Sequence, residues 1–382
     1  MYNRMLELPL SQPHSLFLFG PRGVGKTSWL KERLPDAIYL DLLDFHLYSD
    51  LLADPSRLNK LIPPGHAGWV IIDEVQRVPE LLNEVHRLIE SKKYRFLLTG
   101  SSSRSLKRRG VNLLAGRALR YHMHPLLAQE LGQDFDFIQA LRTGLLPMAV
   151  HNPQADQYLK TYVQTYLREE VLQEGLTRNL SAFTRFLEVA SFSQGATINM
   201  SEIAREVGID RQVVSNYFSI LEDLLLSHHL PAFTKRAKRR MVQHTKFFYF
   251  DVGVYRALRP RGPLDIVEEI DGAALETLFL QSLLALNDYL QLGYQFYFWR
   301  TSSGLEVDFI AYGEKGLFAF EIKRSTKVHS KMLRALKAFK EDYPEATCYL
   351  IYGGEHAKYH DNITVLSIQQ ALLDLPKLLG YN

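Results

Sequence analysis

Two short stretches hold the residue types that phosphate chemistry needs. The first, Gly20-Pro21-Arg22-Gly23-Val24-Gly25-Lys26-Thr27-Ser28, fits G-x-x-x-x-G-K-[ST] at every fixed position. Phosphate oxygens require inward-aimed backbone N–H groups with no Cβ in the way, which Gly20, Gly23 and Gly25 permit. Lys26 supplies charge to the β- and γ-phosphates, and Thr27 offers a hydroxyl to Mg²⁺. A helix starting near Lys26 turns the positive end of its dipole toward the anion. The second stretch, Asp73-Glu74, closes the apolar run from Gly68 to Ile72. Asp73 suits the Mg²⁺ shell, and Glu74 suits orientation or deprotonation of the attacking water. Two acids after a strand also commonly cap a helix; the phosphate turn upstream favours the catalytic reading.

A second constellation lies far downstream. Leu305 to Tyr312 and Leu317 to Lys323 flank Gly313-Glu314-Lys315-Gly316, a plausible tight turn. Centring that turn on Glu314 and Lys315 pairs Tyr312 with Leu317, and so puts Asp308 opposite Glu321 and Glu306 opposite Lys323. All four then share one face, because side chains alternate with period two. Two carboxylates facing each other destabilise a sheet unless a cation lies between them. Asp308, Glu321 and Lys323 thus resemble the PD-(D/E)xK nuclease core, with two metal-binding carboxylates and a lysine to orient or activate water. Glu276, interrupting the apolar helix Ala274 to Leu280, matches the acid often found on the first helix of that core. A solvated hairpin with a Glu306–Lys323 salt pair is the competing reading.

The elements that must hold these residues are legible from periodicity. Phe17 to Phe19, Ala37 to Asp41, Gly68 to Asp73 and Arg95 to Gly100 are strands of a parallel sheet, with hydroxyls Thr99 and Ser101 at the rim where a side chain can sense a γ-phosphate. Val78 to Lys92 has helical spacing and covers a sheet face. Gly116-Arg117 precedes a last strand-like run, Leu119 to His124. Between about 131 and 198 the pattern is helical, a lid or linker, whose Tyr158, Tyr162 and Tyr166 read as core rather than as a base-stacking platform. In the C-terminal part the order is helix, strand, strand, strand, helix, strand, with the second helix running from Ser330 to Tyr343.

Met200 to Tyr217 has helix-turn-helix logic: Ser201 as a first cap, Gly208 at the turn, Asp210 as a second cap. Arg211, Gln212, Ser215 and Asn216 are left outward, where they can reach base edges and phosphates. Lys235, Arg236, Lys238, Arg239 and Arg240 follow, then the alternating Lys246-Phe247-Phe248-Tyr249-Phe250, and the whole resembles a winged helix with a basic wing. From Asn199 to Pro260 there are ten Lys/Arg against six Asp/Glu, a local +4 in a chain of net +3. Nucleic-acid binding, DNA in particular, is the expected use of that charge; a structural or protein-binding module is the alternative.

Gly20 to Thr27, Ile72-Asp73-Glu74-Val75-Gln76, Leu98-Thr99-Gly100-Ser101-Ser102, and Leu114-Ala115-Gly116-Arg117 with Pro125-Leu126 and Glu130 together resemble AAA-type P-loop ATPases with a C-terminal DUF4143 domain. The resemblance implies that Lys26, Thr27, Asp73 and Glu74 are catalytic, that Thr99 or Ser101 is a sensor, and that Arg117 is an arginine finger or sensor. It also implies the cofactors ATP and Mg²⁺, with Mn²⁺ an alternative at the nuclease-like site. Asp251, Gly253 and Tyr255 fall on a short Asp-x-Gly signature of unexplained role. The expected architecture is α/β: an AAA-like P-loop sheet over 1–130, a helical linker over 131–198, a winged helix-turn-helix over 199–262 and a restriction-endonuclease-like domain over 263–382.

Composition sets limits on function. With 382 residues, 46% of them hydrophobic, the chain can bury several cores. One cysteine, Cys348, rules out an intramolecular disulfide and suits a reducing cytosol. No run is long and apolar enough to span a bilayer. The expectation is a cytoplasmic Mg-dependent ATPase that binds DNA and carries the residues to cleave it. The alternative is a nucleotide-gated switch whose nuclease-like domain recruits a partner and cuts nothing. Arg117 acting in trans would imply a homo-oligomer.

Overall fold

Apolar runs that end in glycine, hydroxyl or acidic residues become neighbouring strands, which puts those terminal residues along one rim. The computed structural model describes residues 2–102, 114–167, 171–172, 179–242, 244–263, 265–360 and 362–381. The chain divides into two compact units: Leu6–His124 with Asp223–Leu226, and Tyr2–Met5 with Pro125–Glu222 and Ser227–Asn382.

The first unit is a five-stranded parallel sheet. Its strands are β1 (Ser15–Phe19), β2 (Ile38–Asp41), β3 (Trp69–Asp73), β4 (Arg95–Gly100) and β5 (Ala118–His122), in the order β2-β3-β4-β1-β5. Strands buried on both faces read as continuous apolar runs, and β1 and β3 are buried throughout. Helices α1 (Lys26–Arg33), α2 (Phe45–Ala53) and α3 (Leu81–Lys92) accompany the sheet. Leu81, Leu82, Val85 and Leu88 of α3 pack with Phe17, Phe19, Val70, Ile72, Phe96 and Leu98 in one core. Because β4 separates β1 from β3, its C-terminal residues lie between the glycine turn and Asp73. The expected strands and α3 are all present, within a few residues of their predicted ends.

The second unit begins with α4 (Ala128–Leu131), α5 (Phe137–Thr143), α6 (Ala155–Thr161) and α7 (Leu180–Ser191). Tyr158 and Tyr162 meet at a tilt, Tyr162 and Tyr166 meet edge to face, and Tyr162 is buried, so the tyrosine stripe serves packing. Helices α8 (Met200–Val207) and α9 (Arg211–Asp223) follow, and Gly208 makes the turn between them in the left-handed region at φ 78°. The first cap is Asn199, which accepts the Glu202 N–H, in place of the expected Ser201; the helix starts one residue before that serine. Strands β6 (Ser227–Leu230) and β7 (Lys246–Tyr249) form an antiparallel pair, and α10 (Val252–Leu258) comes next.

The 23-residue α11 (Val267–Tyr289) leads into a six-stranded sheet of order β12-β13-β11-β10-β9-β8. Its strands are β8 (Gln295–Arg300), β9 (Glu306–Gly313), β10 (Gly316–Lys323), β11 (Thr347–Tyr352), β12 (Lys358–His360) and β13 (Ile363–Ser367). Helix α12 (Ser330–Asp342) lays Leu333, Leu336 and Phe339 on Trp299, Val307, Ala319 and Leu350. Helices α13 (Ile368–Leu373) and α14 (Leu375–Leu378) end the chain. The hairpin pairs Tyr312 with Leu317, as the turn geometry predicts. Against β8, Tyr297 pairs with Ile310 but Trp299 pairs with Val307. Two residues, Asp308 and Phe309, therefore face Phe298 alone, a β-bulge that re-aims the acid.

The Asp-x-Gly signature has a structural explanation. Asp251 is fully buried; its Oδ1 accepts the Gly253 and Val254 N–H groups, and its Oδ2 accepts the Leu145 N–H at 2.9 Å. A Cβ on Gly253 would sit 2.2 Å from the Thr143 carbonyl oxygen, so only glycine lets α10 approach α5 this closely. Burial raises the Asp251 pKa to about 6, against the pull of these three donors. Replacing Asp251 by Asn presents an amide NH₂ to backbone donors. Asp251→Asn is expected to cost about 1–3 kcal/mol of stability, measured by chemical denaturation at pH 7; a loss under a few tenths would show that the carboxylate is not what joins the two segments.

Candidate active site

In the first unit the site is assembled at the C-terminal ends of β1, β2, β3 and β4, along one rim. Gly20 follows β1 with its Cα against the Met123 backbone: a Cβ there would lie 2.3 Å from that carbonyl oxygen. Gly23 and Gly25 have φ of 86° and 96°, the left-handed conformation that bends the turn around on itself. Gly25 caps α1, so Lys26 and Thr27 are its first two residues. The buried Lys26 ammonium curls back to donate to Gly20 O at 2.6 Å and Pro21 O at 3.2 Å. Pro21, Arg22, Val24 and Ser28 complete the turn; Val24 is buried beneath it.

Asp73, 1% exposed, is the centre of the arrangement. Thr27 Oγ1 donates to its Oδ2 at 2.7 Å, Tyr39 OH donates to the same oxygen, and Thr99 Oγ1 donates to Oδ1. Burial, with the Asp73 charge next, raises the Tyr39 phenol and keeps it a donor. Glu74 has a left-handed backbone, φ 59°, which turns the chain sharply off β3. Its N–H meets Thr99 Oγ1 at 3.3 Å, and its carboxylate accepts from Gln76 Nε2, which also donates to Ser101 Oγ at 2.9 Å. Thr99 thus touches Asp73 directly, whereas Ser101 is joined to Glu74 through Gln76. Thr27 and Asp73 form a hard-oxygen pair suited to a Mg²⁺ that keeps most of its waters.

Sequence reasoning missed Tyr39, which stands on a neighbouring strand with no motif of its own, and the bridging role of Gln76. Arg117 is not brought to the phosphate turn of its own chain. Its carbonyl accepts from Ser15 N at 3.2 Å, at the start of β1, so a strand length of roughly 16 Å separates it from Gly20. Its guanidinium pairs with Glu90.

In the second unit Asp308 and Glu321 are both buried, at 4% and 5% exposure. Asp308 Oδ2 accepts from Ile322 N at 2.8 Å and lies 3.5 Å from Lys323 Nζ, which sits 2.6 Å from Glu321 Oε1. Glu321 Oε2 has no hydrogen-bond partner among the described residues. Burial, then the Asp308 charge, holds the Glu321 carboxyl well above its usual range. An orphaned acceptor beside a second carboxylate is the donor chemistry a divalent cation satisfies.

Glu306 and Glu276 go elsewhere. Glu306 meets Lys246 Nζ at 2.5 Å and Arg300 Nε at 3.4 Å rather than Lys323, and Lys246 also feels the Asp308 charge. Glu276 Oε2 lies 3.7 Å from Lys246, and burial and Asp308 together push its carboxyl up to about 8. Lys246, 2% exposed, was legible only as an alternating strand residue. Burial alone would lower its pKa, but Glu276, Asp308 and Glu306 more than offset this and raise it. Among the described residues no three or more His, Cys, Asp or Glu side chains converge as on one metal, so Glu276 does not complete a three-acid set with Asp308 and Glu321.

On α9, Arg211, Gln212 and Asn216 are exposed and Ser215 is half-buried. The basic segment is not a free wing. Its two ends are tied to β8, with Phe233 N donating to Phe298 O at 2.7 Å and Val242 N to Arg300 O at 3.0 Å. Arg239 is taken up by Asp342 and Glu341, and Lys235 lies 4.3 Å over the Tyr312 ring, while Arg236, Lys238 and Arg240 stay exposed.

A parallel sheet whose first strand feeds a glycine turn and a lysine, with a buried acid one strand removed, defines a P-loop nucleotide-binding domain. Residues 12–132 match the profile of the AAA domain, 134–265 that of a domain of unknown function, DUF8612, and 271–371 that of another, DUF4143. The chain therefore carries an AAA-type P-loop domain and a DUF4143 domain. It is 26% identical over 361 residues to the uncharacterized protein Rv2008c of Mycobacterium tuberculosis, covering 92% of this chain and 79% of that one. It is 23% identical to the uncharacterized protein MJ1544 of Methanocaldococcus jannaschii, covering 88% and 82%. Among solved structures, ORC1 of Aeropyrum pernix in complex with DNA is 15% identical over 65% of this chain and 86% of that one, with a TM-score of 0.26. A STAND signal-transduction ATPase of Pyrococcus horikoshii is 19% identical over 73% and 46%, with a TM-score of 0.25. Likenesses this distant carry no functional argument. Among the described residues no helix is long and apolar enough to cross a membrane.

Lys246→Met leaves Glu276 and Glu306 without their buried cation. The loss is expected to be about 3–5 kcal/mol by urea denaturation, with part of it recovered in Lys246→Met/Glu306→Gln. Equal stability of the single variant and wild type would mean that water already neutralises these acids.

Proposed function

We propose that the chain is a Mg-dependent ATPase that binds DNA and carries a nuclease-like metal site in its C-terminal part. The observation that carries the ATPase reading is the Thr27–Asp73 contact at 2.7 Å beside the Lys26 turn. In this reading the ATPase spans 1–130, a helical linker 131–198, a winged helix 199–262 and the nuclease-like domain 263–382. Thr27 and Asp73 hold Mg²⁺, which when bound neutralises charge on the β- and γ-phosphates. Lys26 exchanges its carbonyl partners for phosphate oxygens. Glu74, steered by Gln76, takes the water proton, and Thr99 holds Asp73 in place. Arg117 serves only a neighbouring copy, so that role requires a homo-oligomer.

For the second site, Asp308 and Glu321 supply carboxylates to Mg²⁺ or Mn²⁺, the Ile322 carbonyl is a further candidate ligand, and Lys323 orients water. The orphaned Glu321 Oε2 supports a cation there. A second reading, a nucleotide-gated switch that recruits a partner and cuts nothing, is favoured by Lys323 and Lys246, which already compensate much of the acidic charge.

Two assays decide between these. Lys26→Ala should abolish ATP binding, whereas Glu74→Gln should keep binding and lower kcat by at least about 100-fold; full turnover in Glu74→Gln removes Glu74 from the mechanism. With Mn²⁺ and a mixture of DNA forms, wild type should cleave and Asp308→Asn and Lys323→Met should not. Intact DNA together with undetectable Mn²⁺ binding in wild type supports the switch.

A further inference from the structure

Charge on the second unit is concentrated at a place no motif marks. A groove of about 630 Å³ runs along α12, lined by Arg239, Leu305, Lys331, Arg334 and Lys337, with Glu341 at one end. The acid is already spent on Arg239, 3.1 Å away. Lys331 and Arg334 are exposed and make no hydrogen bond or ion pair among the described residues. The helix is amphipathic: Leu333, Leu336 and Phe339 are buried under the sheet, so its basic flank cannot turn inward.

We infer that this groove holds the phosphodiester backbone of one nucleic-acid strand. Three cations three residues apart on a helix span roughly 9 Å, a reach over which one strand presents successive phosphates. The neighbouring segment adds exposed Arg236, Lys238 and Arg240, and its two ends are tied to β8 through Phe233 and Val242. Leu305 lines the groove and begins the run into β9, three residues and about 10 Å of chain from Asp308. An acidic peptide would also meet the charge, and the polyglutamate arm of the test below separates the two. The inference deepens the nucleic-acid reading above and rests on it, but it assigns the contact to α12 rather than to the exposed face of α9.

The test is fluorescence anisotropy of the full chain with a labelled 20-nucleotide single strand and a 20-base-pair duplex across a salt series. Lys331→Gln/Arg334→Gln should weaken binding at least tenfold and lower the slope of log K against log salt by about 1.5, with ATP turnover and melting temperature unchanged. Arg211→Ala/Asn216→Ala should leave both slope and affinity within about twofold. Unchanged affinity in the α12 variant, with loss in the α9 variant, overturns the groove while leaving nucleic-acid binding intact. No binding by wild type overturns both. Polyglutamate that binds wild type more tightly than either oligonucleotide, and is lost in the α12 variant, makes the groove a docking site for acidic protein and also overturns it.

Discussion

A carboxylate withdrawn from water must be met by donors, and in this chain that requirement fixes the local architecture wherever an acid is buried. Asp73 collects Thr27 from α1, Tyr39 from β2 and Thr99 from β4, so three separate elements are tied to one side chain at the rim of the first sheet. Asp251 joins α10 to the backbone after α5 in the same way. Glu130, buried near the start of the second unit, accepts from Met5 N at 2.7 Å, Leu127 N at 3.1 Å and Arg4. Each acid is costly alone and each is compensated, so the acids act as nodes at which distant parts of the sequence are brought into register.

The C-terminal cluster obeys the same rule with a different class of donor. There the compensation comes mainly from lysines: Lys323 between Asp308 and Glu321, Lys246 between Glu276 and Glu306. Ammonium groups can be exchanged for a metal ion without rebuilding the backbone, whereas backbone amides cannot. That contrast separates the lysine-compensated cluster from a backbone-compensated acid such as Asp251.

Much of this was legible because the relevant signals are local. The glycine turn, the acids after β3 and the register of the β9–β10 hairpin all follow from spacing within a few residues. What could not be read depends on contacts across the fold. Tyr39 and Asp73 meet because β2 and β3 are neighbours, a pairing that no spacing encodes. Lys246 looks like any polar residue of an alternating strand until α11 brings Glu276 beside it. Arg117 precedes β5 by one residue, and the parallel direction of that strand puts it at the far end of the sheet. The basic run 235–240 reads as uniform charge, yet Arg239 is neutralised by two acids a hundred residues later.

The extra residue in β9 has a consequence for how such a chain tolerates change. Downstream of it the hairpin and its turn are set by apolar pairing alone; upstream, Glu306 and Val307 are set by β8. Excising Phe309 would restore one-to-one pairing with β8, but it would also remove a fully buried ring that packs on Phe248 and Phe279, so the kink is held by the core itself. The irregularity beside Asp308 is therefore part of the packing, and a deletion there would disturb the aromatic cluster and the surroundings of the acid together.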